Sequence, residues 1–418
     1  MKNLKDFELK ILELTEPFPN DISPSTALFV KSHVEYLSKH SDVTLCVFVR
    51  LLPPKSFLKS FHDMKKWLKH TVLRCKVKYV KSKDYTILYI PYASLPRPTF
   101  EFMNIKLLKI FYWRKIYQIA VKFKPDVVIV HWASPLSFLA WKVASKIGVP
   151  LVIDVHEDPD NIEIYFPCLK RIWLKALRLA DAIIVHSEVN KNKLINLGIE
   201  SQKIFKVYLG IDNIFRESEK ITIRGNKKSN NFTILSVSHL SNPCKRIDDL
   251  LYSFVEVKRM YPEVKLVIVG DGRLRESLKK LSSALGVENS VDFKGALSPR
   301  GVREEMLKAD LFVLPSVRES FGLVFVEALA LGLPVIGYKE AGAIKELSDL
   351  NVPIIKLDEV NPQSISQAIS EVYTRYNEIK EGVDRYREKI VERFSWESHA
   401  VSYTELLDKI RKSKRIRG

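Results

Sequence analysis

Cysteine is nearly absent from this chain. The four that occur, Cys46, Cys75, Cys168 and Cys244, lie far apart and keep neither a pairing nor a zinc-binding spacing. A disulfide framework and a cysteine-ligated zinc site are thereby excluded, and small idle thiols suit a reducing compartment. Long apolar runs are lacking as well. No window of about 18 apolar residues is free of charge, so no segment is expected to cross a bilayer. An acid as early as Asp6 and a strand-like run from Leu9 argue against a secretory leader. The chain is expected to be cytoplasmic, with the inner face of the membrane as a peripheral station. Short-period repeats and low-complexity tracts are missing.

Acids are under-represented too. Lys and Arg number 67 against 49 Asp and Glu, a formal net charge of +18 over 418 residues. Between Arg50 and Lys115, 16 cations stand against 3 acids, and the same stretch holds Phe57, Phe61, Trp67, Tyr79, Phe100, Phe102, Phe111, Tyr112 and Trp113. Cations interleaved with rings suit an anionic lipid surface, where the rings sit at headgroup level and the cations meet phosphates. A solvated lysine-rich surface is the plainer reading. Nucleic acid is the least favoured partner.

What the chain does have is short Val/Ile/Leu runs that alternate with amphipathic stretches. A first series falls at Leu9–Leu14, Val43–Val49, Thr86–Ile90, Val127–His131, Leu151–Val155, Ala182–His186 and Ile204–Tyr208. A second falls at Thr233–Val237, Lys265–Val269, Val291–Phe293, Leu311–Leu314, Val335–Gly337 and Pro353–Lys356. Continuous apolar strands separated by helices predict an α/β protein with two parallel sheets covered on both faces, hence two Rossmann-like domains. The polar stretch Glu217–Asn231 reads as the linker. The predicted domains are residues 1–215 and residues 216–394, with a last helix over 395–418.

In open α/β sheets ligands sit beyond the carboxyl ends of strands, so chemistry is sought there. After the run Leu311–Leu314 come Glu319, Phe321, Gly322 and Leu323, with Glu327 eight positions beyond Glu319. The chain turns at Phe321-Gly322 and enters a helix whose first amides are bare, an arrangement that favours anions. The carboxylates would repel a phosphate but accept paired hydrogen bonds from sugar hydroxyls. Together they describe a site for a diphosphate joined to a sugar. Lys245 and Arg246 follow the run Thr233–Val237, and Gly270-Asp271-Gly272 follows Lys265–Val269. Phe293 and Lys294 end a further run at the same edge. His156 follows Leu151–Val155; His131 is a weaker candidate and His186 reads as structural. Asp158-Pro159-Asp160 has the form of a metal-binding D-x-D, which loop chemistry explains better.

The stretch from Glu319 to Glu327 resembles the E-x7-E signature of retaining glycosyltransferases of family 4, which have the GT-B fold, and the resemblance extends over nearly the whole chain. It implies two Rossmann-like domains facing a cleft, with the last helix, opened by Phe394-Ser395-Trp396, crossing back to the N-terminal domain. It implies transfer of a sugar from a nucleoside-diphosphate donor to an acceptor hydroxyl, with no cofactor and no metal required. Lys245, with Arg246 beside it, and the amides near Phe321, Gly322 and Leu323 would neutralise the leaving diphosphate. Glu319 would orient the donor sugar, Glu327 the ribose, and His156 would lie near the reaction centre. Gly270, Gly272, Phe293 and Lys294 fall where the family approaches the nucleotide. With the basic aromatic stretch, this implies a lipid-linked or membrane-proximal glycan as acceptor. The sequence departs from the pattern at His239, where arginine is usual, and at the glycine-free first loop Pro17–Thr26. A GT-B nucleotide-sugar epimerase and a non-catalytic partner subunit are the alternatives.

Overall fold

The computed structural model describes residues 9–19, 27–51, 77–82, 84–97, 99–165, 167–216 and 232–417. The linker Glu217–Asn231, the far part of the first loop, and Phe57, Phe61, Lys65, Lys66, Trp67 and Lys69 lie outside the described residues. The chain divides into two compact units. The first comprises Met1–His186, Asn190–Gly210 and Trp396–Gly418; the second comprises Ser187–Val189 and Ile211–Ser395. The changeover thus comes at Gly210 rather than at residue 215.

The first unit is built on β1 (Leu9–Thr15), β2 (Ser41–Leu51), β3 (Lys78–Lys81), β4 (Tyr85–Ala93), β5 (Val127–His131), β6 (Leu151–Asp154), β7 (Ala182–Val185) and β8 (Ile204–Lys206). They form one sheet in the order β3-β4-β2-β1-β5-β6-β7-β8. Every pairing is parallel except β3 with β4. Alternate strand residues enter two separate cores. Leu12, Leu14, Val128, Val130 and Ile153 belong to one. Leu9, Ile11, Val127, Ile129 and Val152 belong to the other. That two-sided burial is why the strands read as unbroken apolar runs. The helix Trp396–Arg417 adds Tyr403, Leu407 and Ile410 to the second core, which ties the C-terminus to the first unit. β3 was not foreseen: its four residues are exposed on an antiparallel edge and show no apolar pattern.

The second unit holds β9 (Thr233–Val237), β10 (Lys265–Val269), β11 (Val291–Gly295), β12 (Leu311–Leu314), β13 (Val335–Tyr338) and β14 (Ile355–Leu357). Their order is β11-β10-β9-β12-β13-β14, all parallel. In both sheets the strand order reverses direction once, between β1 and β5 and between β9 and β12. These are the topological switch points, where a doubly wound sheet leaves a crevice for ligand. The fold is GT-B in its units: two parallel-sheet α/β domains.

Candidate active site

At the switch point of the second unit, the loop after β9 meets the loop after β12. The Val317 amide donates to the Cys244 carbonyl at 3.0 Å, which fastens one loop to the other. Asn242 starts a single 3₁₀ turn by accepting from the Cys244 amide at 3.0 Å, and that turn delivers Lys245. Lys245 Nζ reaches Glu319 Oε2 at 2.5 Å, and the two side chains are 18% and 16% exposed. Two residues assigned from separate motifs are therefore one ion pair. A half-buried pair of this kind keeps the lysine aimed while its other donors stay available. A cavity of about 200 Å³ lies beside it, lined by Leu240, Asn242, Pro243, Lys245, Leu274 and Leu278.

Arg246 does not join that pair. It is held in a left-handed conformation (φ 54°) and bonds Asp249 through Nε at 2.5 Å. The spare cation next to Lys245 is thus held by the first turn of the following helix, Ile247–Met260.

Gly322 is left-handed at φ 90°, and a Cβ there would lie 2.8 Å from Glu319 Cγ and 2.9 Å from Phe325 Cδ2. It opens the helix Leu323–Ala330 without a side-chain cap. The first amide of that helix to find a partner is Phe325, which donates to the Gly322 carbonyl at 3.0 Å. Those of Leu323 and Val324 have none among the described residues, as the sequence predicts. Phe321 is buried against Phe394, and its carbonyl accepts from Ala343 at 2.6 Å, so its side chain builds the turn from beneath. Glu327 is half-buried one turn into the helix. Burial raises its carboxyl to about 7, and the negative charge of Asp212 adds to the rise.

The remaining candidates of this unit have local explanations. Gly270 (φ 138°) and Gly272 (φ 153°) lie directly beneath the loop after β9; a Cβ would fall 1.8 Å from the Ser238 carbonyl oxygen and 2.4 Å from Leu240 C. Close backbone packing alone requires glycine at both. Lys294 is exposed and paired with Asp292 at 2.7 Å, and the Phe293 carbonyl faces Arg275 Nη2 at 3.4 Å. Both sit on β11, at the sheet edge and two strands from the switch point. His239 is exposed.

The switch point of the first unit is filled by the strands themselves. Glu13 on β1 is fully buried, and its two oxygens face His33 Nε2 at 3.2 Å and His131 Nε2 at 3.0 Å. Burial alone would raise its carboxyl, but the charge of His33 and hydrogen bonds from both rings hold it down at about 2. His156 lies between His131 and His186, with Nε2 3.0 Å from His131 Nδ1 and Nδ1 2.9 Å from His186 Nε2. The three rings stack nearly parallel. Burial pushes His156 well below the usual imidazole range, against the opposing pull of Asp154 and with smaller help from the charges of His186, His131 and His33. Trp132, at φ 63°, and Phe29 pack on its ring at 4.7 and 4.8 Å. A bulky residue with positive φ beside a strand end is strain of the kind found at functional sites. Asp154 accepts from the Tyr403 hydroxyl at 3.0 Å.

Glu13, His33, Asp154, His399 and Tyr403 were missed from sequence; the visible signals were the acids inside the apolar runs Leu9–Leu14 and Leu151–Val155. Two triplets, Glu13–His33–His131 and His131–Asp154–His156, converge closely enough to hold an ion. Hydrogen bonds already join all of the first triplet, and His131 to His156 in the second. Asp158 and Asp160 of the D-x-D are both clamped by Lys193, at 2.8 and 2.7 Å.

Comparison with known proteins addresses the fold and the family. The chain is 26% identical over 278 residues to the alpha-monoglucosyldiacylglycerol synthase of Streptococcus pneumoniae, covering 61% of this chain and 60% of that protein. It is 26% identical over 343 residues to the sulfoquinovosyl transferase of Arabidopsis thaliana, 76% of this chain and 62% of that one. The matches thus span about three fifths of these relatives. Among solved structures, Anabaena HepE in complex with UDP and glucose superposes with a TM-score of 0.68 at 19% identity over 96% of this chain and 100% of that one. Sucrose-phosphate synthase of Thermosynechococcus elongatus does so with 0.73 at 15% over 97% and 100%. Residues 217–389 match the model of glycosyl transferases group 1 and residues 72–213 that of glycosyltransferase family 4. The chain belongs to the family 4 glycosyltransferases.

Proposed function

We propose that this protein transfers a sugar, with retention at the anomeric carbon, from a nucleoside-diphosphate donor to a hydroxyl of a lipid-linked or membrane-proximal glycan. The observation that carries the reading is the Lys245–Glu319 pair at the switch point, next to the bare amides of Leu323 and Val324. A lysine and free amides supply positive potential where a diphosphate leaving group gains charge, and fixed donors of this kind act most strongly in the transition state. Glu319, held by that lysine, would accept from donor-sugar hydroxyls. Glu327 would accept from the ribose. His156 would lie beside the sugar ring. Attack from the face of the leaving phosphate would need no enzyme nucleophile, and no metal is required by the residues assigned.

The lipid side of the proposal rests on the helices Glu101–Phe111 and Trp113–Phe123. Phe102 and Ile110 are 61% and 64% exposed, joined by Met103 and Phe111. Lys106 Nζ lies 4.7 Å over the Phe102 ring. Such a face lies in a lipid headgroup layer, rings inward and cations on phosphate. No helix among the described residues is long and apolar enough to cross a membrane, so contact would be peripheral. The Streptococcus pneumoniae relative above bears the name of an enzyme that forms a glucosyldiacylglycerol, which favours the same acceptor class.

The test is calorimetry with nucleoside diphosphates and nucleotide sugars, followed by transfer to diacylglycerol-based acceptors in vesicles. Donor binding with sugar transfer and a retained anomer supports the proposal. Donor turnover at C2 without an acceptor would make the protein an epimerase, and binding without turnover a non-catalytic subunit.

A further inference from the structure

Glu13 is the hub of two chains of histidine rings inside the first unit. In the longer chain, Glu13 Oε2 faces His131 Nε2, His131 Nδ1 faces His156 Nε2, His156 Nδ1 faces His186 Nε2, and His186 Nδ1 faces the Val207 carbonyl, all at 2.9–3.0 Å. A carboxylate and a carbonyl only accept, so the outer nitrogens of His131 and His186 each carry a proton. Each nitrogen–nitrogen contact needs one more proton and has room for one. Three rings therefore hold four protons, one beyond three neutral imidazoles.

The shorter chain runs from Glu13 Oε1 to His33 Nε2 at 3.2 Å, from His33 Nδ1 to His399 Nε2 at 2.7 Å, and from His399 Nδ1 to the Tyr208 carbonyl at 2.6 Å. By the same count two rings hold three protons, again one in excess. Two extra protons match the two buried carboxylates, Glu13 and Asp154, so the cluster is neutral as a whole, as burial requires. The pieces come from β1, β5, β6, the turns just after β6 and β7, and the helices Leu28–Leu37 and Trp396–Arg417. Tyr403 faces the same cluster and stays protonated, because burial and Asp154 raise its hydroxyl far above its usual range.

In the longer chain the extra proton belongs on an end ring. His131 Nε2 is 3.0 Å from Glu13 and His186 Nε2 is 3.0 Å from Asp154, whereas His156 has Asp154 at 3.7 Å. We propose that Glu13, His131 and His186 are positioning residues for His156: they hold both its ring nitrogens and keep it neutral by carrying the extra proton on a flanking ring. When that proton crosses, His186 Nε2 gives a proton to His156 Nδ1 while His156 Nε2 gives one to His131 Nδ1. The tautomer of His156 reverses and the total charge is unchanged. The proposal rests on the reading that His156 lies by the donor sugar. A neutral ring there avoids placing a cation next to the positive charge that develops at the anomeric carbon.

Nitrogen-15 NMR of histidine in the full chain tests the count directly, with kcat, KM and pH profiles measured on Glu13→Gln and Glu13→Asp. Near neutral pH, two of the five cluster rings should be imidazolium and His156 neutral. A glutamine at position 13 turns one acceptor into a donor, so one imidazolium should be lost. Its kcat should fall by about tenfold or more with little change in KM, and Glu13→Asp should recover most of the loss. Five neutral rings, a charged His156, or an unchanged kcat in a folded Glu13→Gln would overturn the proposal, as would stoichiometric zinc bound at Glu13, His33 and His131. Should Glu13→Gln fail to fold, the wild-type count and Glu13→Asp decide. An absence of sugar transfer in the wild type sinks the transferase reading and leaves the NMR count to stand or fall alone.

Discussion

At the switch point of the first sheet, the strands carry the polar groups: Glu13 on β1 and His131 on β5, both fully buried and bonded to each other. At that of the second sheet, the strand residues Ile234, Leu235, Phe312 and Val313 are apolar, Ser236 is the buried polar residue of β9, and the charged groups stand on the loops beyond them. One strand order thus supports two opposite solutions. The first is a buried network of rings and carboxylates bonded mainly to one another, which fixes geometry. The second leaves amides and a lysine open to an incoming anion. Under the proposed function, charge stabilisation would fall to the second unit and orientation of the reacting sugar to the first.

The sharpest way to break this division is Lys245→Ala. If the open site stabilises the leaving group, kcat should fall by about 10²–10³ with a smaller change in KM. Arg246→Ala should change kcat only slightly, because that guanidinium is already bonded to Asp249. Equal losses in the two variants would show that the basic loop acts as a diffuse charge and that the Lys245–Glu319 geometry is incidental.

Gly270→Ala probes the support of the same loop. Its Cβ would fall 1.8 Å from the Ser238 carbonyl oxygen at φ 138°. Strain of this kind costs on the order of 1–3 kcal/mol or more, and should lower the melting temperature. An unshifted melting curve would mean that the glycine serves only the ligand.

Much of this architecture was legible in the sequence. Strands buried on both faces announce themselves as continuous apolar runs, and the runs at Val127–His131, Thr233–Val237 and Leu311–Leu314 match the strands observed. The loop site was legible because its residues are nearly contiguous within two motifs. The histidine cluster was not, because its members come from positions as distant as Glu13 and Tyr403. They meet only once the strand order is known. Nor does adjacency to Lys245 reveal the left-handed turn that sends the Arg246 side chain to Asp249.

Glu327 offers a comparison within the open site. Its carboxyl is raised to about 7 by burial and by Asp212. Ribose hydroxyls donate to the ionised form, so donor affinity should be highest above that pH and decline as pH falls through it. Glu327→Ala should weaken donor binding roughly tenfold and flatten this dependence, since a charge-assisted hydrogen bond contributes on the order of 1.5–3 kcal/mol. A pH profile unaltered by the substitution, measured by calorimetry, would remove Glu327 from the ribose.

The smallest expected effect is on the exposed face of the first unit, and it separates lipid contact from catalysis. A cation near an anionic surface contributes about 1 kcal/mol, which salt screens. Lys106→Glu reverses one charge at the Phe102 ring, so partitioning to anionic vesicles should drop several-fold at low salt. Phe102→Ser with Ile110→Ser should weaken binding to neutral and anionic vesicles alike, because it removes the apolar contact rather than the field. Donor affinity should stay the same in both, since Lys245, Glu319 and Glu327 belong to the other compact unit. A flotation assay in which the wild type ignores anionic vesicles would make this face an ordinary solvated surface and a soluble acceptor the better reading. A loss of donor affinity in these variants would instead show that the two units do not divide the work as their switch points suggest.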